Sequence, residues 1–337
     1  MSEHHHAITI GINSYPEFAP LQGAENDAMD FHEWVTSPKG GNVPPDNTEL
    51  IVSSGKTRRD ARPTAEQIDD AFERLHVIAR RRGRVGGRLY LFFAGHGFSQ
   101  DLDETALLMA NASEIYTHHL AGRRYAQWFQ TAAYFDEVVL FMDCCRQNYP
   151  RVILRHPPWR RVENPEAAQV VYFYGFSTYW RGSSHERQFE DGRVHGLFSR
   201  TLVRGLWGNA ADEQGVISSR SLQAYVESNL PSLPEGVPAQ VPRFELSPDP
   251  IVFGHARRPD FPVLLQVSGS SDPLVLKDGA LRTIESDTWE QTPEGWRVRL
   301  RRGLYQAQVG GASELFEVKG VEGEQRVRIG GAGHGHL

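Results

Sequence analysis

The chain has 337 residues, 39% of them hydrophobic and 23% charged. That is enough apolar material for a sizeable core, and it excludes a bare linker or a disordered tail. A net charge of −6 gives no overall attraction to phosphate backbones or anionic lipid, so no nucleic-acid or membrane partner is expected.

The first strand signal is Ala7 to Asn13, followed by a Ser-Tyr-Pro turn. Leu21, Ala24, Ala28, Phe31 and Val35 then recur at helical spacing and predict a helix with Glu25, Asp27 and Asp30 at its start or flanks. A Gly/Pro-rich loop leads to a strand candidate at Glu49 to Ser53. Thr64 and Gln67 form a capping-box signature, and Ile68, Ala71, Phe72, Leu75 and Ile78 carry that helix to Gly83. Three short continuous apolar runs follow: Leu89–Phe93, ending in Ala-Gly-His-Gly; Val138–Met142, ending in Asp-Cys-Cys; and Val170–Tyr174, ending in Gly-Phe-Ser. Runs apolar on both faces imply a parallel sheet covered on two sides, and ligands of such sheets bind beyond the carboxyl ends of the strands. Gly196–Trp207 and Ser219–Leu230 read as later helices, and Pro231–Pro250 as irregular. From about Phe261 short alternating segments predict a small β domain. The boundaries read from this pass are 1–255, 261–330 for the β domain, and a flexible tail at 331–337.

The only cysteines, Cys144 and Cys145, are adjacent, so no disulfide can staple distant segments and a reducing compartment is implied. With no cleavable apolar leader and no run of about 18 apolar residues, a cytoplasmic protein is expected. His4, His5 and His6 lack metal-ligand spacing and carry no weight. Amide hydrolysis by a thiol needs a nucleophile, a base that also protonates the leaving amine, and donors for the oxyanion. Cys145 and His96 each follow a buried strand, and Gly95 and Gly97 leave room for a substrate backbone. A catalytic Cys145 would be expected to alkylate below the ~8.5 pKa of a free thiol, whereas an inert buried one would not.

YLFFAGHG and VVLFMDCC resemble the two active-site motifs of the caspase and metacaspase clan, and the 49-residue interval from His96 to Cys145 matches the roughly 50 residues of caspases. PLQGAENDAMDFHEWV and GLFSRTLVRGL resemble further segments of the same fold, in the manner of bacterial caspase-like proteins. The resemblance covers Ala7 to Leu230 and implies an α/β caspase-like domain with a mostly parallel sheet and helices on both faces. It implies a thiol endopeptidase with a Cys145–His96 dyad, Cys144 standing in the place of a small intermediate residue, and an oxyanion hole from the amides of Gly97 and Cys145. Arg146-Gln147-Asn148 departs from the family's usual residues after the nucleophile. The frame Glu25-Asn26-Asp27-Ala28 and Asp143 occupy the positions that line the primary pocket in metacaspases, so Arg or Lys before the scissile bond is implied.

Residues 146–163 carry five arginines against Glu163 alone and correspond to an intersubunit linker in this fold. Arg151, Arg155, Arg160 and Arg161 are candidate autocleavage points. No organic cofactor is implied. Some metacaspases need calcium, and Asp101, Asp103, Glu104, Glu190 and Asp191 are acidic groups to consider. They lack EF-hand spacing, and a solvated acidic turn is the favoured reading. The expected partners are a protein or peptide substrate and a regulatory partner or ligand at the β domain. The rival reading is a catalytically silent scaffold or adaptor that binds through that domain.

Overall fold

The computed structural model describes residues 4–102, 104–148, 152–189, 191–212, 214–256, 261–267, 273–279, 281–284, 289–301, 303–318 and 324–329. The chain divides into two compact units, Met1–Arg257 and Arg258–Leu337.

The first unit is an α/β layer structure. Its sheet includes β1 (His6–Gly11), β2 (Thr48–Val52) and β3 (Gly86–Ala94), then the strands Phe135–Asp143, Val171–Phe176 and Arg243–Leu246. Their spatial order runs from Arg243–Leu246 through Val171–Phe176, Phe135–Asp143, β3 and β1 to β2. Every pairing is parallel except that of Arg243–Leu246, which runs antiparallel on one edge. The unbroken apolar runs of the central strands follow from burial on both faces. Leu89, Leu91 and Phe93 pack to one side with Phe72 and Leu75 of α2 (Ala65–Arg82) and with Tyr125 and Phe129 of α3 (Gly122–Ala132). Tyr90 and Phe92 face the other side, against Phe31 and Trp34 of α1 (Ala24–Thr36), Phe198 and Leu202 of α4 (Leu197–Arg204), and Leu222 and Val226 of α5 (Ser219–Asn229). Phe31 stacks on Phe92 with ring centroids 4.7 Å apart, and truncating such a buried ring to alanine costs about 3–5 kcal/mol.

The capping box forms at α2, with Gln67 N–H donating to Thr64 Oγ1 at 3.4 Å and Thr64 N–H donating to Gln67 Oε1 at 3.0 Å. Leu21 precedes α1 instead of opening it. The expected irregular stretch at 231–250 contains the Arg243–Leu246 strand, which tolerates its proline-rich flanks because it lies on the edge, where ladder donors can be missing.

In the second unit two four-stranded sheets enclose one core that includes Val263, Leu265, Leu276, Val298, Ala307, Val318 and Val327. This is sandwich packing, with alternate residues of each strand turned inward. The tail 331–337 lies outside the described residues. Among the described residues, no helix is long and apolar enough to cross a membrane.

Candidate active site

Strand register brings the histidine and the cysteine together. Ala94 at the end of β3 pairs with Asp143 at the end of its parallel neighbour. Just beyond, the strand Gly97–Ser99 pairs with Gln147–Asn148, Phe98 opposite Gln147. His96 and Cys145 each fall two residues after the first pair, so they stand level with each other at the carboxyl edge of the sheet. Both line one cavity of about 160 Å³, together with Asp27, Asp143, Gly95, Ser184, Glu186 and Gly196.

The imidazole of His96 is held on two sides. Its Nε2 lies 2.7 Å from the Ala19 carbonyl; a carbonyl can only accept, so Nε2 is the donor, and in a neutral imidazole that leaves Nδ1 as the unprotonated nitrogen. Tyr15 and Phe18 pack against the ring at 4.8 and 6.3 Å, and the His96 amide donates to Tyr15 Oη at 2.9 Å.

Cys145 is half-buried, and its Sγ receives the Ser184 N–H at 3.4 Å. Burial pushes this thiol above its ordinary value, the Ser184 amide opposes that shift, and Asp143 reinforces it. Burial thus works against the acidified resting thiol expected of a catalytic cysteine, and the one amide donor does not offset it. Cys144 is buried on the opposite side, against Gly97, where a Cβ would come within 2.6 Å of its Sγ. Gly97 is thus required by close packing. It begins the strand after His96 and is not among the residues lining the cavity.

Asp27 and Asp143 form the buried acidic end of the cavity, 3% and 6% exposed. Asp27 is no solvated helix-start charge: its Oδ2 accepts the Gly196 N–H at 2.8 Å and its Oδ1 lies 2.9 Å from His195 Nδ1. Asp143 accepts from the Ser184 hydroxyl, from the Ser199 amide at 3.0 Å and from the Ser199 hydroxyl at 2.7 Å. Burial raises the pKa of both, and the charge of Asp143 raises that of Asp27 further. Two carboxylates buried near each other resist simultaneous ionisation until a cation joins them.

The family model of the caspase domain, peptidase family C14, matches residues 4–248. This chain belongs to the caspase-domain peptidases. The family is one of cysteine peptidases. A "Probable protease" from a Desulfuromonadales bacterium is 29% identical over 215 residues, 60% of this chain and 26% of that protein, so the chain spans about a quarter of that relative's length. Caspase-1 from Spodoptera frugiperda superposes with a TM-score of 0.51 at 14% identity, covering 75% of this chain and 93% of that one. That likeness shows the caspase fold.

The basic segment of this caspase domain is only partly a free linker. Arg146 is 1% exposed and donates to the carbonyls of Leu102 at 2.6 Å and Thr178 at 3.5 Å. Arg155 pairs with Asp69, and Trp159 packs among the rings of Phe72, His76 and Trp128. Arg160 is exposed, as is the Arg161 side chain, at 80%. Arg151 lies outside the described residues, as do Asp103 and Glu190. Glu104 is no solvated turn residue: it is buried and paired with Arg124 at 2.9 Å. Asp191 pairs with Arg200 at 2.8 Å. Among the described residues no group of three or more His, Cys, Asp or Glu side chains could hold a metal ion.

Sequence reasoning missed Ser184, Ser199, Glu186, His195 and the Ala19 carbonyl. His195 and Gly196 stand beside the predicted helix start in His-Gly-Leu-Phe, the one local signal available. The others act through tertiary contacts without a spacing rule.

Proposed function

We propose that this chain is an endopeptidase that cleaves after arginine or lysine, with Cys145 as nucleophile and His96 as general base and acid. The observation that carries the proposal is the pair of buried carboxylates, Asp27 and Asp143, at the end of the cavity that also holds His96 and Cys145. A basic side chain entering that end would supply the missing cation and let both carboxylates ionise, through charge-assisted hydrogen bonds. The scissile carbonyl would then lie beside Cys145. His96 Nδ1 would accept the thiol proton as sulfur attacks, and return it to the departing amine. The amides of Cys145 and of Gly97, next in the chain to the cavity-lining His96, would hold the oxyanion, and water would release the acyl-enzyme. Exposed Arg160 and Arg161 make autoprocessing part of the same proposal.

Peptides identical except for Arg, Lys, Asp or Leu before a reporter amide test this, with Cys145→Ala as control. Arg and Lys peptides should exceed the other two by about ten- to a hundredfold in kcat/KM, the loss of a charged hydrogen-bonded contact being ~1.5–3 kcal/mol. Preference for Asp or Leu would overturn the specificity.

A further inference from the structure

His195 is fully buried in the strand Val194–Gly196, with Nδ1 2.9 Å from Asp27 Oδ1. The next amide, Gly196 N–H, takes Oδ2 at 2.8 Å. One dipeptide therefore serves both oxygens of the pocket carboxylate. His195 Nε2 makes no hydrogen bond among the described residues; Asp191 lies 3.7 Å from it. Burial keeps the ring below its ordinary pKa, and the neutral ring can spend its single N–H on Asp27.

The other charges around this ring are largely matched. Asp30 of α1 pairs with Arg193 at 2.9 Å and with Arg200 of α4 at 3.3 Å, and Arg200 also pairs with Asp191 at 2.8 Å. Phe189 covers the imidazole at 5.9 Å. Asp27 itself faces Asp143 across Gly196, whose added Cβ would meet both carboxylates. Asp30 of α1 and Glu186 also act on Asp27 as like charges, so without the imidazole donor it would keep one backbone amide against burial and three neighbouring carboxylates, Asp143, Asp30 and Glu186.

We propose that His195 is a positioning residue for substrate selection, its Nδ1 contact fixing the Asp27 carboxyl group in the orientation that meets the substrate's basic side chain in the cavity. The proposal rests on the arginine/lysine reading above. His195 does not line the cavity, so its effect on the reaction runs through Asp27.

The test compares His195→Asn with His195→Gln on a peptide with arginine before the scissile bond and on its citrulline counterpart, a neutral near-isostere. The Asn amide can take the place of Nδ1, whereas the Gln amide falls nearer Nε2. Thermal melting verifies folding. The Gln variant should raise KM for the arginine peptide about tenfold or more, with kcat and the citrulline rates within about twofold. Its acid limb of kcat/KM should move to higher pH, because a carboxylate that loses a donor holds its proton more tightly. The Asn variant should stay near wild type in all of these. If the Gln variant does not fold, His195→Ala, which adds no bulk, carries the same expectation. Equal KM and equal pH profiles in the two variants would overturn the role of His195 while leaving arginine preference standing. A wild type that does not distinguish arginine from citrulline would remove the specificity reading and this proposal together.

Discussion

Gly196 lies so close to Asp143 that a Cβ at this position would come within 2.2 Å of Asp143 Oδ2; it would also come within 2.9 Å of Asp27 Oδ2. The glycine is what lets a backbone pass between the two pocket carboxylates. Gly196→Ala should displace one or both and break the Gly196 N–H contact to Asp27. Steady-state kinetics on an arginine peptide should show KM raised about tenfold or more, the loss expected for a charge-assisted hydrogen bond. An unchanged KM in a folded variant would show that neither carboxylate fixes the substrate.

Because burial raises the Cys145 pKa and one amide donor only partly opposes it, the thiol should rest protonated and lose its proton to His96 during attack. In a Cys144→Ala protein, the iodoacetamide alkylation rate should rise with pH to a midpoint above the ~8.5 of a free thiol. A midpoint well below that value would mean a resting thiolate–imidazolium pair.

The central sheet was legible because its strands are buried on both faces and so read as unbroken apolar runs. His96 and Cys145 were legible as neighbours at the sheet edge because strand exits are positions a sequence can mark, His96 after Leu89–Phe93 and Cys145 after Val138–Met142. Asp27 was found through its frame, yet its periodicity suggested a flank charge; its burial comes from a segment 168 residues away. Helix α3 went unmarked because it lacks a side-chain cap, and its buried face of Tyr125, Ala126, Phe129 and Ala132 is short and includes small residues. Arg146 read as part of an intersubunit linker because nothing local reveals the carbonyls of Leu102 and Thr178 that hold it.

Exposure separates the candidate processing points. Arg155 is tied to Asp69, and Trp159 is packed among aromatic rings, whereas Arg160 and Arg161 are exposed. A peptidase needs an extended, accessible strand of substrate, so intact-mass analysis of incubated wild type should show cleavage after Arg160 or Arg161 ahead of Arg155. The Cys145→Ala protein should remain whole. A fully active wild type that stays one chain would show that the segment is structural.

The central claim is that Cys145 attacks substrates held by a basic side chain between Asp27 and Asp143. The most direct measurement is covalent labelling with a peptidyl acyloxymethyl ketone ending in arginine, beside the same probe ending in aspartate, followed by mass spectrometry of the digested protein. The account predicts one adduct from the arginine probe, mapped to Cys145, retained in Cys144→Ala and absent from Cys145→Ala, with little labelling by the aspartate probe. An adduct on Cys144, equal labelling by the aspartate probe, or no adduct from either probe on a folded protein would contradict it.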